Sequence, residues 1–157
     1  MTQMNQIDQK LNALGITLPV PMKPLANYVP WVKTGNMVFI SGQGAVIDGK
    51  VQHAGKVGMD VSVEEGAISA RLTAINIIAQ LREAAEGDLS RVKRIVKLVG
   101  FVNCTPDFTQ QPKVINGASD LMVEVFGEKG RHARSAVGVT SLPMNLSVEI
   151  EAIVELE

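Results

Sequence analysis

Apolar positions in this chain switch between a helical and a strand period, and the switches mark its elements. Ile7, Leu11 and Leu14 fall at i, i+4 and i+7, which predicts a short amphipathic helix ended by Gly15. The segment "LPVPMKPLANYVPW" follows, and its four prolines exclude a helix and predict an extended arm along the surface. "NMVFISGQGAVIDGKVQ" reads as a β-hairpin, with Val38, Phe39 and Ile40 as its β-rich run and Asp48-Gly49 as its turn. Gly42 and Gly44 interrupt that strand pattern, as at a bulge or a close backbone approach.

Ser62 and Glu65 have capping-box spacing, and a helical pattern runs from there to about Glu86. Ile68, Leu72, Ile75 and Ala79 form one stripe, widened by Ala74, Ile78, Leu81 and Ala85, as suits a helix lying flat on a sheet. "RVKRIVKLVGFVN" is a strand ending at Cys104, and the polar loop "CTPDFTQQPKV" leads into a second helix from about Lys113 to Phe126. The last third is two strands, "SAVGVTSL" and "LSVEIEAIVEL", which the turn "PMN" joins as a second hairpin. In the final strand Val148, Ile150, Ala152 and Val154 alternate with Ser147, Glu149, Glu151 and Ile153, so one face is apolar. These elements predict one α+β domain over residues 1–157, with residues 1–26 as helix and arm. Its single mixed sheet carries both long helices on one face. The other sheet face then needs cover, and self-association would supply it.

Composition narrows the function classes. With 157 residues, 46% apolar and 20% charged, the chain suits an ordered globule with a core. A net charge of −1 and 4% aromatics leave little for a general nucleic-acid surface. The lone thiol, Cys104, cannot form an internal disulfide, and a cytoplasmic location is expected. There is no apolar leader core and no run of eighteen apolar residues, so neither a signal peptide nor a membrane span is expected. Walker, dinucleotide-binding, CxxC and HExxH patterns are all missing, and His53, His132 and Cys104 are too scattered to predict a metal site. "SGQG" lacks the GxSxG of a nucleophile elbow.

Four blocks carry a resemblance. They are "NYVPWV", "GNMVFISGQGAV", "RVKRIVKLVGFVNCTPDF" and "ARSAVGVTSLPMNLSVEIEAIVEL", in order from Asn27 to Leu156. Together they resemble the reactive-intermediate deaminase family, RidA or YjgF-like proteins, also called endoribonuclease L-PSP. The chain looks like a longer branch, with an added N-terminal helix and a longer loop around Thr109 to Lys113. The resemblance implies a chorismate-mutase-like α+β fold and a homotrimer with sites in clefts between subunits. It also implies hydrolysis of enamine and imine intermediates, such as 2-aminoacrylate, to 2-keto acids and ammonia, with no metal or organic cofactor.

By the same resemblance, Arg134 matches the arginine that pairs with the substrate carboxylate, and Glu149 the glutamate that positions or activates water. A guanidinium offers a carboxylate two parallel donors, which lysine cannot copy. The alternative for Arg134 is a structural bridge to Glu149 or Glu151 across the hairpin, and for Glu149 a plain strand-surface position. Tyr28 matches the site tyrosine, or else packs on the arm. Gly42 matches the glycine of the Ser-Gly-Gln block, with Ser41 beside it and Asn116 at the start of the second helix. Ala136 stands where many members have cysteine, and the contact assigned there comes from the backbone. Gly138 replaces a common glutamate, and Asn27 and Val29 also depart, so the pocket is reshaped. Arg131 and His132 lie outside the signature, as solvated loop residues or as a local positive field; Cys104 reads as a small semi-buried residue.

Three functions compete at this stage: an imine or enamine deaminase, a non-catalytic module binding small carboxylates such as 2-keto acids, and an endoribonuclease. The last has the least support, because no histidine pair suits acid-base cleavage of RNA.

Overall fold

A computed structural model of the protein describes residues 4–24 and 26–157; residues 1–3 and 25 of the expected N-terminal segment lie outside that description. Helix α1 spans Gln6–Ala13, and the Asn5 side chain caps it by accepting from the Asp8 N–H at 2.8 Å. Leu11 is buried, with Ile7 and Leu14 packed beside it, as the spacing requires. Among the described residues the arm that follows has no helix or strand. It is held down by Ile16 and Leu18 against the core and by Gln80, whose amide donates to the Met22 carbonyl at 2.8 Å.

The first expected hairpin is two hairpins. Strand β1, Trp31–Thr34, pairs antiparallel with β2, Met37–Gly44, around a turn at Gly35, whose φ is +58°. Trp31 therefore opens a strand instead of closing the arm. Asp48 and Gly49 do form the expected turn, with φ of 50° and 76°, the primed geometry that suits strand twist. They join only the short strands β3, Val46–Ile47, and β4, Lys50–Val51, which form a separate two-stranded sheet.

Helix α2 covers Val63–Ala84 and begins in the capping box that Ser62 and Glu65 predict. Strand β5 is Val92–Asn103, helix α3 is Gln111–Phe126, β6 is Ala133–Val139 and β7 is Val148–Leu156. Helix α3 starts two residues before the expected Lys113, with Pro112 in its first turn, where a missing N–H costs nothing.

The second expected hairpin does not form. The five-stranded sheet has the order β1-β2-β7-β5-β6, so β5 separates the last two strands. Strand β6 pairs parallel with β5, from Lys97 against Ala133 to Asn103 against Val139. The reason is α3. It carries the chain back across the helical layer, so β6 re-enters in the direction of β5, as a crossover unit must. Strand β7 buries Val148, Ile150, Ala152, Val154 and Leu156, an alternation fit for a central strand, and it lies antiparallel to both β2 and β5. The result is the expected α+β architecture, a mixed sheet with α2 and α3 on one face, to which the small β3–β4 sheet is an addition. Ile77, Ile78, Leu81, Ile115, Leu121 and Met122 meet Leu98 and Ile150 between the layers. Each such side chain contributes about 1.5–3 kcal/mol by leaving water.

Candidate functional site

The expected site residues fall into two groups, on opposite faces of the sheet. The first surrounds Glu149. Between Ile40 and Gln43 the pairing of β2 with β7 shifts, so Ser41 and Gly42 together oppose Glu151. This is a β-bulge, where the glycine pattern foresees one. Gly42 also has a close neighbour: a β-carbon there would overlap the Glu149 carboxylate, with its Cδ 2.8 Å away. Ser41 ties the arm to the sheet. Its N–H donates to the Pro30 carbonyl at 2.9 Å and its hydroxyl to the Val29 carbonyl at 3.2 Å. The neighbouring Tyr28 then stands, 58% exposed, at the edge of a cleft of about 240 Å³ shared by Gly42, Met144 and Glu149. From below, Asn76 donates to the Gly44 and Val46 carbonyls at 2.8 and 3.1 Å and fixes the end of β2.

Glu149 is half-buried. Loss of hydration, reinforced by the charge of Glu151, raises its pKa above the usual carboxylate value. A carboxyl shifted in that direction holds a proton closer to neutral pH, which general acid-base work requires.

The second group surrounds Arg134. On β6 it lies in register with the buried Leu98, so it leaves the sheet on the helical side. One terminal nitrogen, Nη1, donates to Asn116 Oδ1 at 2.8 Å and to Ser119 Oγ at 3.1 Å, both on α3. Those two bonds occupy both hydrogens of Nη1. Among the described residues nothing else bonds the guanidinium and no carboxylate pairs with it, so its Nε–Nη2 edge remains open. That edge carries two parallel donors, the fork a carboxylate accepts.

Glu149 sits two strands away and three residues along, about 14 Å by strand spacing and rise, and it points to the open face. The bridge across a hairpin, the alternative for Arg134, has no hairpin to cross. Asn116 joins Arg134, whereas Tyr28, Ser41 and Gly42 join Glu149. Ala136, on the outermost strand, packs its methyl on the core two residues beyond Arg134, and among the described residues no strand covers the far edge of β6.

His132 is not a solvated loop residue. It is half-buried; its Nδ1 lies 2.6 Å from the Gly130 carbonyl and its Nε2 lies 2.9 Å from Ser119 Oγ. Burial, with the Arg134 charge, lowers its pKa, against the pull of the Gly130 carbonyl. Arg131 is exposed and pairs with Glu128 at 3.0 Å, as a loop residue would. Cys104 is buried, and it explains one departure from the family pattern. A β-carbon at 138 would come within 2.8 Å of both Cys104 Sγ and Gln111 Nε2, so glycine fits there. Ser119 carries no sequence signal of its own; only its contact with His132 and Arg134 places it in the site. Among the described residues no group of three or more His, Cys, Asp or Glu could hold a metal, and no helix is long and apolar enough to cross a membrane.

Comparison with known proteins agrees with this architecture. Residues 8–156 match the family model described as "YjgF/chorismate mutase-like, putative endoribonuclease". The chain belongs to this YjgF/RidA-like family. It is 47% identical to Protein TCP17 of Trypanosoma cruzi over 152 residues, covering 96% of this chain and 94% of that one. It is 32% identical over 145 residues to a 2-iminobutanoate/2-iminopropanoate deaminase of Dermatophagoides farinae, covering 90% and 95%. Among solved structures, Atu1372 of Agrobacterium tumefaciens, a protein described as having unknown function, superposes with a TM-score of 0.91 at 51% identity, covering 97% of this chain and 93% of that one.

Proposed function

We propose that the protein hydrolyses small 2-imino acids and their enamine tautomers to 2-keto acids and ammonia, in a homotrimer whose sites lie between subunits. The observation that carries this reading is the division of the site. One face holds a cationic fork with an open edge. The other holds a half-buried carboxylate of raised pKa in a cleft. Neither half performs the chemistry alone, and in one chain they point apart. A neighbouring copy brings Glu149 to Arg134. The open sheet face supports such assembly, because Val32, Phe39 and Val137 stay 53, 44 and 45% exposed there. The deaminase relative supports the substrate class.

In this reading the Nε–Nη2 edge of Arg134 takes the substrate carboxylate and fixes the imine carbon against the neighbour's Glu149. The imine reacts as its N-protonated form: Glu149 accepts a proton from water as the water oxygen bonds to that carbon, and the C=N π electrons move to nitrogen to give the neutral carbinolamine. Glu149 returns the proton to the amine. As the C–N bond breaks and ammonia leaves, the Glu149 carboxylate takes the hydroxyl proton and that oxygen forms the carbonyl. Tyr28 walls the cleft, Gly42 leaves room for Glu149, and the uncovered backbone edge at Ala136 offers polar contacts beside the carboxylate.

A second reading, carboxylate binding without turnover, rests on the Arg134 half being a complete anion clamp without Glu149. One experiment separates the two. Imines are generated by an amino-acid oxidase or a serine dehydratase, and keto-acid appearance is followed. Acceleration over buffer that vanishes in Arg134→Ala supports the deaminase. No acceleration, or full activity in that variant, overturns it.

A further inference from the structure

We propose that His132 and Ser119 are positioning residues that hold Arg134 in its anion-binding pose, through a directional hydrogen-bond relay that works only while the imidazole is neutral. The inference deepens the deaminase reading and rests on the same anion clamp.

The relay has one consistent proton arrangement. The Gly130 carbonyl can only accept, so Nδ1 of His132 carries the hydrogen. In the neutral ring Nε2 is then an acceptor, and the Ser119 hydroxyl donates to it. With its hydrogen so directed, Ser119 Oγ turns its lone pairs to Arg134 Nη1. Asn116 Oδ1 accepts the second Nη1 hydrogen. Both anchors hold the same nitrogen, so the guanidinium plane is fixed and the opposite edge is presented.

A proton on Nε2 reverses this. The ring becomes a donor to the same oxygen that accepts from Arg134, and two cations then converge on one hydroxyl. Ser119 must turn its own hydrogen away, to an acceptor that its present partners do not provide. The charged groups on the ring's side of the sheet are Arg134 and Arg131 on its own segment, Asp120 on α3 and Glu128 in the preceding turn, whereas Lys97, beside Ala133 on β5, lines the open face. Glu128 already pairs with Arg131, and Asp120 is exposed and screened by water, so they offset little of the added charge. The lowered pKa of His132 is in keeping with a ring kept neutral.

The test uses the whole protein, with 2-ketobutyrate as probe in calorimetry from pH 8 down to 5.5. Loss of one charge-assisted anchor in Ser119→Ala should weaken binding about tenfold at pH 8. Wild-type affinity should fall as His132 takes up its proton. His132→Gln presents an amide oxygen to Ser119 and cannot titrate, so it should bind within about twofold of wild type at pH 8 and lose the slope. Unchanged binding in Ser119→Ala, or a wild-type pH slope in His132→Gln, overturns the relay. A ligand-free measurement keeps the two proposals apart. In ¹⁵N NMR of the free protein, His132 should be the Nδ1–H tautomer, and Arg134 Nη protons should exchange faster in Ser119→Ala. If 2-ketobutyrate does not bind wild type, the substrate reading fails while these signals still decide the relay. An Nε2–H tautomer, or Arg134 exchange that ignores Ser119, sinks it.

Discussion

A division of Arg134 and Glu149 between subunits can be tested by mixing two inactive proteins. Arg134→Ala removes the carboxylate fork, and Glu149→Gln removes the acid-base group while keeping its shape. Each variant alone should lose about a hundredfold or more in kcat/KM, since positioning and proton transfer each contribute at least that much. The two groups lie about 14 Å apart within a chain and face opposite ways, whereas a small 2-imino acid spans at most about 3.6 Å between its carboxylate oxygens and its nitrogen. One substrate cannot touch both in one subunit. In a mixed trimer, a site is intact when the subunit giving Arg134 is the Glu149→Gln protein and the one giving Glu149 is the Arg134→Ala protein. With equal amounts and free exchange, each condition holds half the time, so about one site in four is intact.

The assay is keto-acid formation from an enzymatically supplied imine. The two variants are denatured together and refolded, or exchanged under mild denaturant, and separately refolded samples serve as controls. Recovery to about a quarter of wild-type activity is the expected result, and light scattering on the same sample should report three chains per particle. Activity no higher than the mean of the two variants, in particles shown by mass spectrometry to be mixed, refutes the shared site.

Two further predictions are read through stability, one at Glu149 and one at Asn103, which supports the loop beside its cleft. Glu149 has a raised pKa in the fold, so its contribution is fully present below about pH 4.5 and is lost as pH rises through the folded value; Glu149→Gln should match wild type in Tm at pH 4 and exceed it at pH 7.5, and a Tm deficit at pH 7.5 would contradict the burial argument. Asn103 is buried and bonds Lys56 Nζ at 3.0 Å and the Leu146 carbonyl at 3.1 Å, which ties the loop beside Met144 to β5; Asn103→Ala should cost about 2 kcal/mol in urea unfolding, and a cost under about 0.5 kcal/mol would mean water replaces these bonds.

The features legible in the sequence are those set by neighbours along the chain. The Ser62–Glu65 cap needs four residues, the Asp48–Gly49 turn two, and the bulge at Gly42 one glycine in a strand. Alternation in β7 gives the parity of Glu149 directly. It does not say which strand lies alongside. Two strands joined by a short turn read as a hairpin, and here that expectation fails, because α3 fixes the direction of β6 while the five buried side chains of β7 place it centrally. The same limit hid the relay. Ser119 and His132 are thirteen residues apart, on a helix and at a strand entrance, and only the packing of α3 on β6 brings them together. Within the run of Arg131, His132 and Arg134 the first arginine is paired, the histidine is wired into the fold, and the second arginine keeps an open edge.

Parity also accounts for the division of the proposed site. Strand β6 turns Arg134 and Ala136 to the helices, and β7 turns Val148 and Ile150 there. Glu149 must then face away from the helices, and no change of rotamer reverses this, because a one-residue slip would expose the whole core face of β7. A carboxylate on the open face and a guanidinium under the helices can meet only around the edge of a sheet, and β6 is that edge. A second copy that brings its own Glu149 cleft to the β6 edge covers uncovered backbone, apolar open face and half-site in one contact. In the proposed reading, assembly and catalysis thus make the same demand on this strand, and a substitution that blocks the β6 edge should abolish both together.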